Sequence, residues 1–315
     1  MKELTKERKE FLRNEISRLK KEKNALIMAH YYQREEIQEI ADFIGDSLAL
    51  ARQAAKTDAD VIVMCGVHFM GETAKILCPD KQVLVPDLNA GCSLADSCPP
   101  EEFEKFVKDH PGYTVVSYVN TSAAVKALTD IVVTSGNARK IIEQLPEEEK
   151  IIFGPDHNLG EYINSVTGRN MLLWKGACHV HDRFSLEKIL EMKREHPEAK
   201  ILVHPECQRP LQLIADKVGS TAALLEFAQT DSAKEFIVVT ESGILFEMRR
   251  KCPEKILHAA PAEDAECQCN ECDFMKLNTL EKVYEALKNG YPEIEVDKET
   301  AVKALKPIER MLSMS

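Results

Sequence analysis

Apolar and polar positions follow two different rhythms along this chain. Over the first 24 residues Lys and Arg alternate with Glu around Leu4, Phe11, Ile16 and Leu19, the pattern of a solvated helix with a narrow apolar stripe. From residue 25 onward, short apolar runs divided by helical stretches take over. ALIMAHYY, DFIGDS, DVIVMCG and QVLVPD read as strands, each followed by a helix or a loop. Such a βαβ series predicts an α/β fold with a parallel sheet and helices on its faces.

The series then repeats. Shifting the chain by 88 residues and by a further 86, without gaps, brings Ile27 and Met28 onto Val115 and Val116 and then onto Ile201 and Leu202, the cores of three first strands. Asp42 falls on Asp130 and Asp216 before each second strand, and Ser47 falls on Ser135 and Thr221 after it. Val63 and Met64 match Ile151, Ile152 and then Ile237, Val238 in the third strand, while Leu84 and Val85 match Leu172, Leu173 and, less well, His258, Ala259 in the fourth. Chance aligns apolar residues readily, but it seldom keeps three aspartates and three hydroxyls in one register. The reading is therefore three homologous αβα units: 1–92 with the N-terminal helix, 93–179 and 180–275. Residues 276–315 form a helical tail expected to pack on the first unit.

Ligands of parallel α/β sheets bind beyond the carboxyl ends of the strands, so the repeat yields an ordered set of candidates. His30 and Tyr32, Tyr118 and Asn120, and His204 and Glu206 occupy the same two positions after the three first strands. Three polar pairs converge if the units surround a pseudo-threefold axis. Ser47, Ser135 and Thr221 precede helical stretches, where a hydroxyl ordinarily caps free N–H groups and where phosphate or carboxylate can also bind. After the fourth strands come Cys92, Cys178 and the trio Cys267, Cys269 and Cys272. Three thiolates from separate loops suit an iron–sulfur cluster or zinc. The chain has no second CxxC, which disfavours a structural zinc site. Cys65, Cys78, Cys98, Cys207 and Cys252 are read as packing residues; His68, His157, His179 and His181 lie near strand or loop ends, where contact with the site is one reading and a satisfied structural role the preferred one.

Composition narrows the classes further. Apolar residues at 44% and charged residues at 30% exclude wholesale disorder. The charge of 41 − 52 = −11 argues against nucleic acid or an anionic membrane as the main partner. No apolar run approaches a membrane span, the first residues are charged, and ten cysteines without a disulfide pattern suit a reducing compartment, so a cytoplasmic location is expected.

Seven ordered motifs, AHYYQREEIQEIADFIGDSLALAR, GVHFMGETAKIL, VLVPDLNAGCSLADSC, VVSYVNTSAAVKA, VVTSGNA, FGPDHNLG and LVHPEC, resemble the quinolinate synthase family from about residue 25 to the end of the chain. The resemblance implies three similar α/β domains around a central cavity that holds one [4Fe-4S] cluster on three cysteines. It also implies condensation of iminoaspartate with dihydroxyacetone phosphate to quinolinate, with release of phosphate and two waters, in NAD biosynthesis. Functional coupling to an aspartate-oxidising enzyme would follow. By motif the ligands are Cys92, Cys178 and Cys272, whereas repeat register alone prefers Cys267. Tyr32 and Glu206, with His30 and His204, are the implied proton-transfer residues. Tyr118 and Asn120 would bind substrate carboxylates, as His30, His204 and Glu206 also face substrate, and Ser47, Ser135 and Thr221 would hold phosphate or carboxylate oxygens. An iron left open by three ligands would act as a Lewis acid. Two rivals stand beside this reading: a zinc-dependent aldolase or isomerase of a phosphorylated sugar, and a cluster-bearing sensor without turnover.

Overall fold

The computed structural model describes residues 4–262 and 270–315. Among these residues twelve strands form three sheets of four. The first holds β1 (Ala25–His30), β2 (Phe43–Gly45), β3 (Val61–Cys65) and β4 (Gln82–Leu84). The second holds β5 (Thr114–Tyr118), β6 (Ile131–Val133), β7 (Ile151–Gly154) and β8 (Leu172–Leu173). The third holds β9 (Lys200–Val203), β10 (Lys217–Val218), β11 (Glu235–Val239) and β12 (Ile256–Ala259). Each is parallel throughout and has the same order, second-first-third-fourth, with helices between successive strands. The α/β reading with three parallel αβα modules is the observed architecture.

The three register-matched aspartates explain themselves. Asp42 Oδ2 accepts from Ile27 N at 2.9 Å, Asp130 Oδ2 from Val115 N at 2.8 Å, and Asp216 Oδ2 from Ile201 N at 2.8 Å. The backbone answers in each case, with Asp42 N, Asp130 N and Asp216 N donating at 2.9 Å to the carbonyls of Ile27, Val115 and Ile201. One residue thus closes the crossover between first and second strands by two bonds, one of them charge-assisted.

The third strand needs a correction. Val63 pairs with Ile27 and Ile237 with Ile201, but in the second sheet Val115 lies opposite Ile152 rather than Ile151. One extra residue has entered the second unit before β7. A one-residue slip exchanges sheet faces, so the gapless alignment misassigns the inward side of this strand. Ile152 packs with Cys98, Phe103, Val115 and Val125, and Trp174 lies against that cluster. Trp174 comes close because β7 ends in Gly154: a Cβ there would stand 2.2 Å from the Trp174 Cβ.

Two compact units contain these sheets, Met1–Cys92 with Asp273–Lys298, and Ser93–Cys272 with Glu299–Ser315. In the first unit, Leu12, Ile16 and Leu19 of the helix Lys6–Glu22 pack on Leu280, Val283 and Leu287 of the helix Leu280–Asn289, over Ile27, Val63 and Leu84. The apolar stripe of the N-terminal helix therefore runs through Leu12, and Phe11 is 47% exposed. The C-terminal helices divide. Leu280–Asn289 lies on the first unit, whereas Lys298–Met314 runs into the second, where Asn137 Nδ2 donates to Ser315 Oγ at 2.7 Å and Gln144 Nε2 to Met314 O at 3.0 Å. No helix among the described residues is long and apolar enough to cross a membrane.

Candidate active site at the strand ends

The first unit brings His30 and Tyr32 together beyond β1. Both are buried, their rings meet edge to face at 4.5 Å, and Tyr32 N donates to His30 Nδ1 at 3.2 Å. Lys276 Nζ holds the Tyr32 carbonyl at 2.8 Å. Ser47 opens the helix Ser47–Lys56, but it does not cap it: Asp46 does, accepting from Ala49 N at 3.0 Å. Ser220 likewise caps Thr221–Thr230 through Ala223 N at 3.3 Å, and Ser135 precedes a helix that starts only at Ala138, after Asn137. The ordinary capping role expected of Ser47 and Thr221 thus belongs to Asp46 and Ser220, and at the helix after Ser135 the N-cap residue Asn137 makes no side-chain capping bond. A Cβ at Gly136 would lie 3.4 Å from Ser220 Oγ, so the turns carrying Ser135 and Thr221 run side by side.

In the second unit the strand ends of the second and third sheets converge on Glu206. Its Oε1 accepts from the Tyr118 hydroxyl at 2.6 Å, and its Oε2 lies 3.1 Å from His181 Nδ1, with His204 Nδ1 at 3.8 Å from the carboxylate. All four side chains are buried. Burial pushes the Glu206 carboxyl up, but the charges of His181 and His204 and the bonds from His181 and Tyr118 win, holding its pKa at about 2. His181, read from the sequence as a histidine near the strand ends, lies in direct contact with this cluster. Its ring stacks on His204 at 4.6 Å, and its Nδ1 also lies 3.3 Å from Cys178 Sγ, while its Nε2 meets Thr240 Oγ1 at 2.9 Å. The signal for it was the three-residue spacing from Cys178, too short a pattern to separate from coincidence. Cys178, His181 and Glu206 form a group whose donor atoms lie within 4.8 Å of one another, the right chemistry for a metal. Asn120 stands at the rim of this loop, and its Oδ1 is buried with no hydrogen-bond partner among the described residues.

One hydrogen bond recurs near a cysteine in each of the three modules. A residue at or just before the start of the helix after each third strand donates its N–H across the sheet end: His68 to Ala90 O at 2.7 Å, His157 to Gly176 O at 2.8 Å, and Ser242 to Asn270 O at 2.9 Å. Two residues beyond those acceptors stand Cys92, Cys178 and Cys272. Cys267 and Cys269 lie outside the described residues. Two of the three loops are tied again by a buried carboxylate. Asp156 Oδ2 accepts from Cys178 N at 3.0 Å while its Oδ1 caps Leu159 N at 2.9 Å, and Glu241 accepts from Cys272 N at 3.1 Å and Gly243 N at 2.7 Å. Burial and the nearby Glu206 charge push Asp156 well above the usual carboxylate range. Cys178 and Cys272 are half-buried against the same apolar cluster, that of Val180, Phe184, Ile201 and Val239.

The other described cysteines are buried. Cys65 sits in the first core, the thiols of Cys78 and Cys252 donate to Ala54 O and Met248 O at 3.0 and 2.9 Å, and burial pushes the Cys98 thiol up to about 12. Cys207 is likewise raised far, first by burial and then by Glu206 and Asp156. Thiols held protonated in this way are poor metal ligands.

Fold and site together define a triplicated parallel α/β protein with a buried acid–base cluster and one accessible cysteine at each set of strand ends. Comparison with known proteins then gives the family. Residues 14–313 match the family described as quinolinate synthetase A protein. The chain is 58% identical over 300 residues to the quinolinate synthase of Nostoc punctiforme, covering 95% of this chain and 92% of that protein. It is 56% identical over 300 residues to that of a Synechococcus species, covering 95% and 94%, and 56% identical over 301 residues to that of Chloroherpeton thalassium, covering 96% and 94%. This chain belongs to the quinolinate synthetase A family.

Proposed function

We propose that this protein is a quinolinate synthase of NAD biosynthesis, condensing iminoaspartate with dihydroxyacetone phosphate to quinolinate, phosphate and two waters. The observation that carries the proposal is the Tyr118–Glu206–His181–Cys178 cluster: a buried acid–base set beside a cysteine whose backbone position recurs at Cys92 and Cys272. A sensor has no use for such a set, and that favours an enzyme.

Cys92, Cys178 and Cys272 would hold a [4Fe-4S] cluster. The donor set fits: these three alone among the described cysteines are not buried, and two have their backbones fixed by carboxylates. When bound, the cluster supplies a Lewis-acidic iron with one coordination position not taken by protein. The protein's own residues do the rest. Asn120, with Nδ2 donating to a carboxylate and Oδ1 accepting from the imine N–H, and the Tyr118 hydroxyl orient iminoaspartate. Ser47, Ser135 and Thr221, at or near helix N-termini uncapped by their own hydroxyls, hold phosphate or carboxylate oxygens. Local N–H dipoles outweigh a distant net charge of −11, since screening removes charges beyond about 8 Å. Glu206 stays ionised through the neutral range and fixes the rings of His181 and His204 beside it. Proton transfer at carbon and oxygen then passes through those rings and through Tyr32 with His30. An aspartate-oxidising enzyme would supply the imine, and the cytoplasm is the expected compartment.

Protein prepared without oxygen should contain about four irons and about four sulfides per chain and should form quinolinate from the two substrates. Cys272→Ala should abolish cluster loading, and Cys252→Ala should leave it intact. A colourless protein with stoichiometric zinc and no quinolinate would replace this reading with a zinc aldolase.

A further inference from the structure

The third sheet departs from the repeat at its amino end. His258 of β12 pairs with Ile237 of β11, in the place where Leu84 pairs with Val63 and Leu172 with Ile152. Two residues before Ile237 stands Glu235, where the first two modules have Val61 and Lys150. Side chains alternate along a strand, so Glu235 shares a face with Ile237 and Val239, and His258, level with Ile237, shares it too. Ile237 and Val239 lie in one apolar cluster with Ile189 and Met192 of the helix Leu186–Glu195, and His196 is the residue that ends that helix. Three segments far apart in the chain thus bring His196, Glu235 and His258 to one spot.

Their geometry is convergent. His196 Nδ1 lies 2.8 Å and His258 Nε2 2.7 Å from the same atom, Glu235 Oε1, and one ligand atom from each residue lies within 4.8 Å of the others. The two rings stand 4.0 Å apart. Were both charged, two cations would face each other at that distance, whereas one dication satisfies all three donors. Two imidazoles and a carboxylate are a ligand set of divalent transition ions such as zinc. Around a tetrahedral zinc the nitrogen–oxygen separations would open to about 3.3 Å. Side chains 33%, 20% and 22% exposed for His196, Glu235 and His258 have room for that shift of about half an ångström, and their exposure leaves a way in for the ion. The end of a helix carries partial negative charge, which also favours a cation beside His196. The acid–base cluster lies elsewhere: His181 meets Thr240, five residues along from Glu235, about 17 Å at the rise of a strand.

We propose that His196, Glu235 and His258 form a binding site for a divalent transition cation of the zinc type, at the opposite end of the third sheet from the acid–base cluster. The site does not depend on the reaction proposed above. Each ligating nitrogen gives up its proton, to solvent or to the other nitrogen of its ring, as the metal takes the lone pair. The ion then joins the end of the helix Leu186–Glu195 to β11 and β12, and by mass action it stabilises the folded chain.

The test is a zinc titration by calorimetry, with zinc K-edge X-ray absorption to identify the ligands, on the whole chain prepared without oxygen. Wild type is compared with His196→Asn, Glu235→Gln and His258→Asn, each checked for native far-ultraviolet circular dichroism. Zinc in wild type should show nitrogen and oxygen neighbours at about 2.0 Å with the outer scattering of imidazole. Each variant should bind this ion about 100-fold more weakly or worse, because loss of groups that merely orient a ligand already costs about 10–100-fold. Wild type should also melt at a higher temperature as zinc is added, and the variants should not. If the cysteines take zinc as well, the variants should lose one equivalent and keep only the sulfur neighbours at about 2.3 Å. Sulfur neighbours alone in wild type, equal affinity in all three variants, or no binding at about 1 mM zinc would each overturn the site. His196→Asn changes a residue outside the strands, so it decides the question should either strand variant fail to fold.

Discussion

Replacing Glu206 by Gln keeps the side chain's shape and removes its charge, which makes it the sharpest probe of the buried cluster. The amide oxygen can still accept from Tyr118, now at 2.6 Å, but the NH2 then meets His181 Nδ1, which lies 3.1 Å from the wild-type Oε2. A donor would face a donor whenever His181 is protonated there. The folded carboxyl titrates at about 2 against an ordinary value of 4.5, because the two imidazoles and the Tyr118 bond outweigh burial. A depressed pKa stabilises the fold above the unfolded value and loses that contribution as pH falls through the folded one, so the window is about pH 4.5 down to about 2. At about 1.4 kcal/mol per unit the full contribution is about 3 kcal/mol at pH 7. Removing the Glu206 charge also relieves Asp156, which burial and that charge push up, so the net loss should be smaller than this. Urea unfolding of cluster-free wild type and variant at pH 7 measures this. Anaerobic quinolinate formation should fall by about 10²–10⁴-fold, the usual worth of a positioned proton-transfer group, with iron content unchanged. Turnover within threefold of wild type together with an unshifted urea midpoint would refute the account of Glu206.

Three further outcomes follow from the geometry. Asp130→Ala removes a charge-assisted bond to Val115 N and should cost about 1.5–3 kcal/mol in urea unfolding, against nearly nothing for an exposed carboxylate such as Glu148→Ala. Glu241→Ala frees the backbone N–H groups of Cys272 and Gly243, and should lower iron retained per chain after gel filtration while far-ultraviolet circular dichroism stays native; full iron retention would show that the loop holds itself. Asp87 pairs with Lys282, and although burial raises its carboxyl, that ammonium and the Asn89 bonds leave it below its ordinary value. Asp87→Asn should therefore be less stable than wild type at neutral pH, with the gap closing as pH drops below about 4; a gap that widens in acid would reverse the assigned sign.

Much of this was readable from the chain because parallel α/β modules tolerate few substitutions at their crossovers. Asp42, Asp130 and Asp216 do one backbone task in a fixed geometry, so their spacing survives and reveals the triplication. The strand-end pairs were readable for the same reason: position is set by the sheet even where the side chain varies. What failed was local. Helix starts shifted by a residue, so Ser47 and Thr221 were taken for caps that Asp46 and Ser220 supply. An inserted residue before β7 broke the gapless alignment at Ile151 and Ile152. Loop length misled the cysteine register as well. Cys92 follows Leu84 by eight residues and Cys178 follows Leu172 by six, but Cys272 follows His258 by fourteen, and only the hydrogen bonds anchored at His68, His157 and Ser242 restore their equivalence.

That equivalence shows how a repeated scaffold acquires an asymmetric chemistry. One residue before each of those three anchors stand Val67, Asp156 and Glu241, in one backbone position with three different side chains. The two carboxylates spend oxygens on the N–H groups of Cys178 and Cys272, whereas an apolar valine stands at the corresponding place in the first module. The same divergence separates Tyr32 from Asn120 and Glu206. Backbone positions shared by the three modules supply the sockets, and substitution within them sets a different side chain in each.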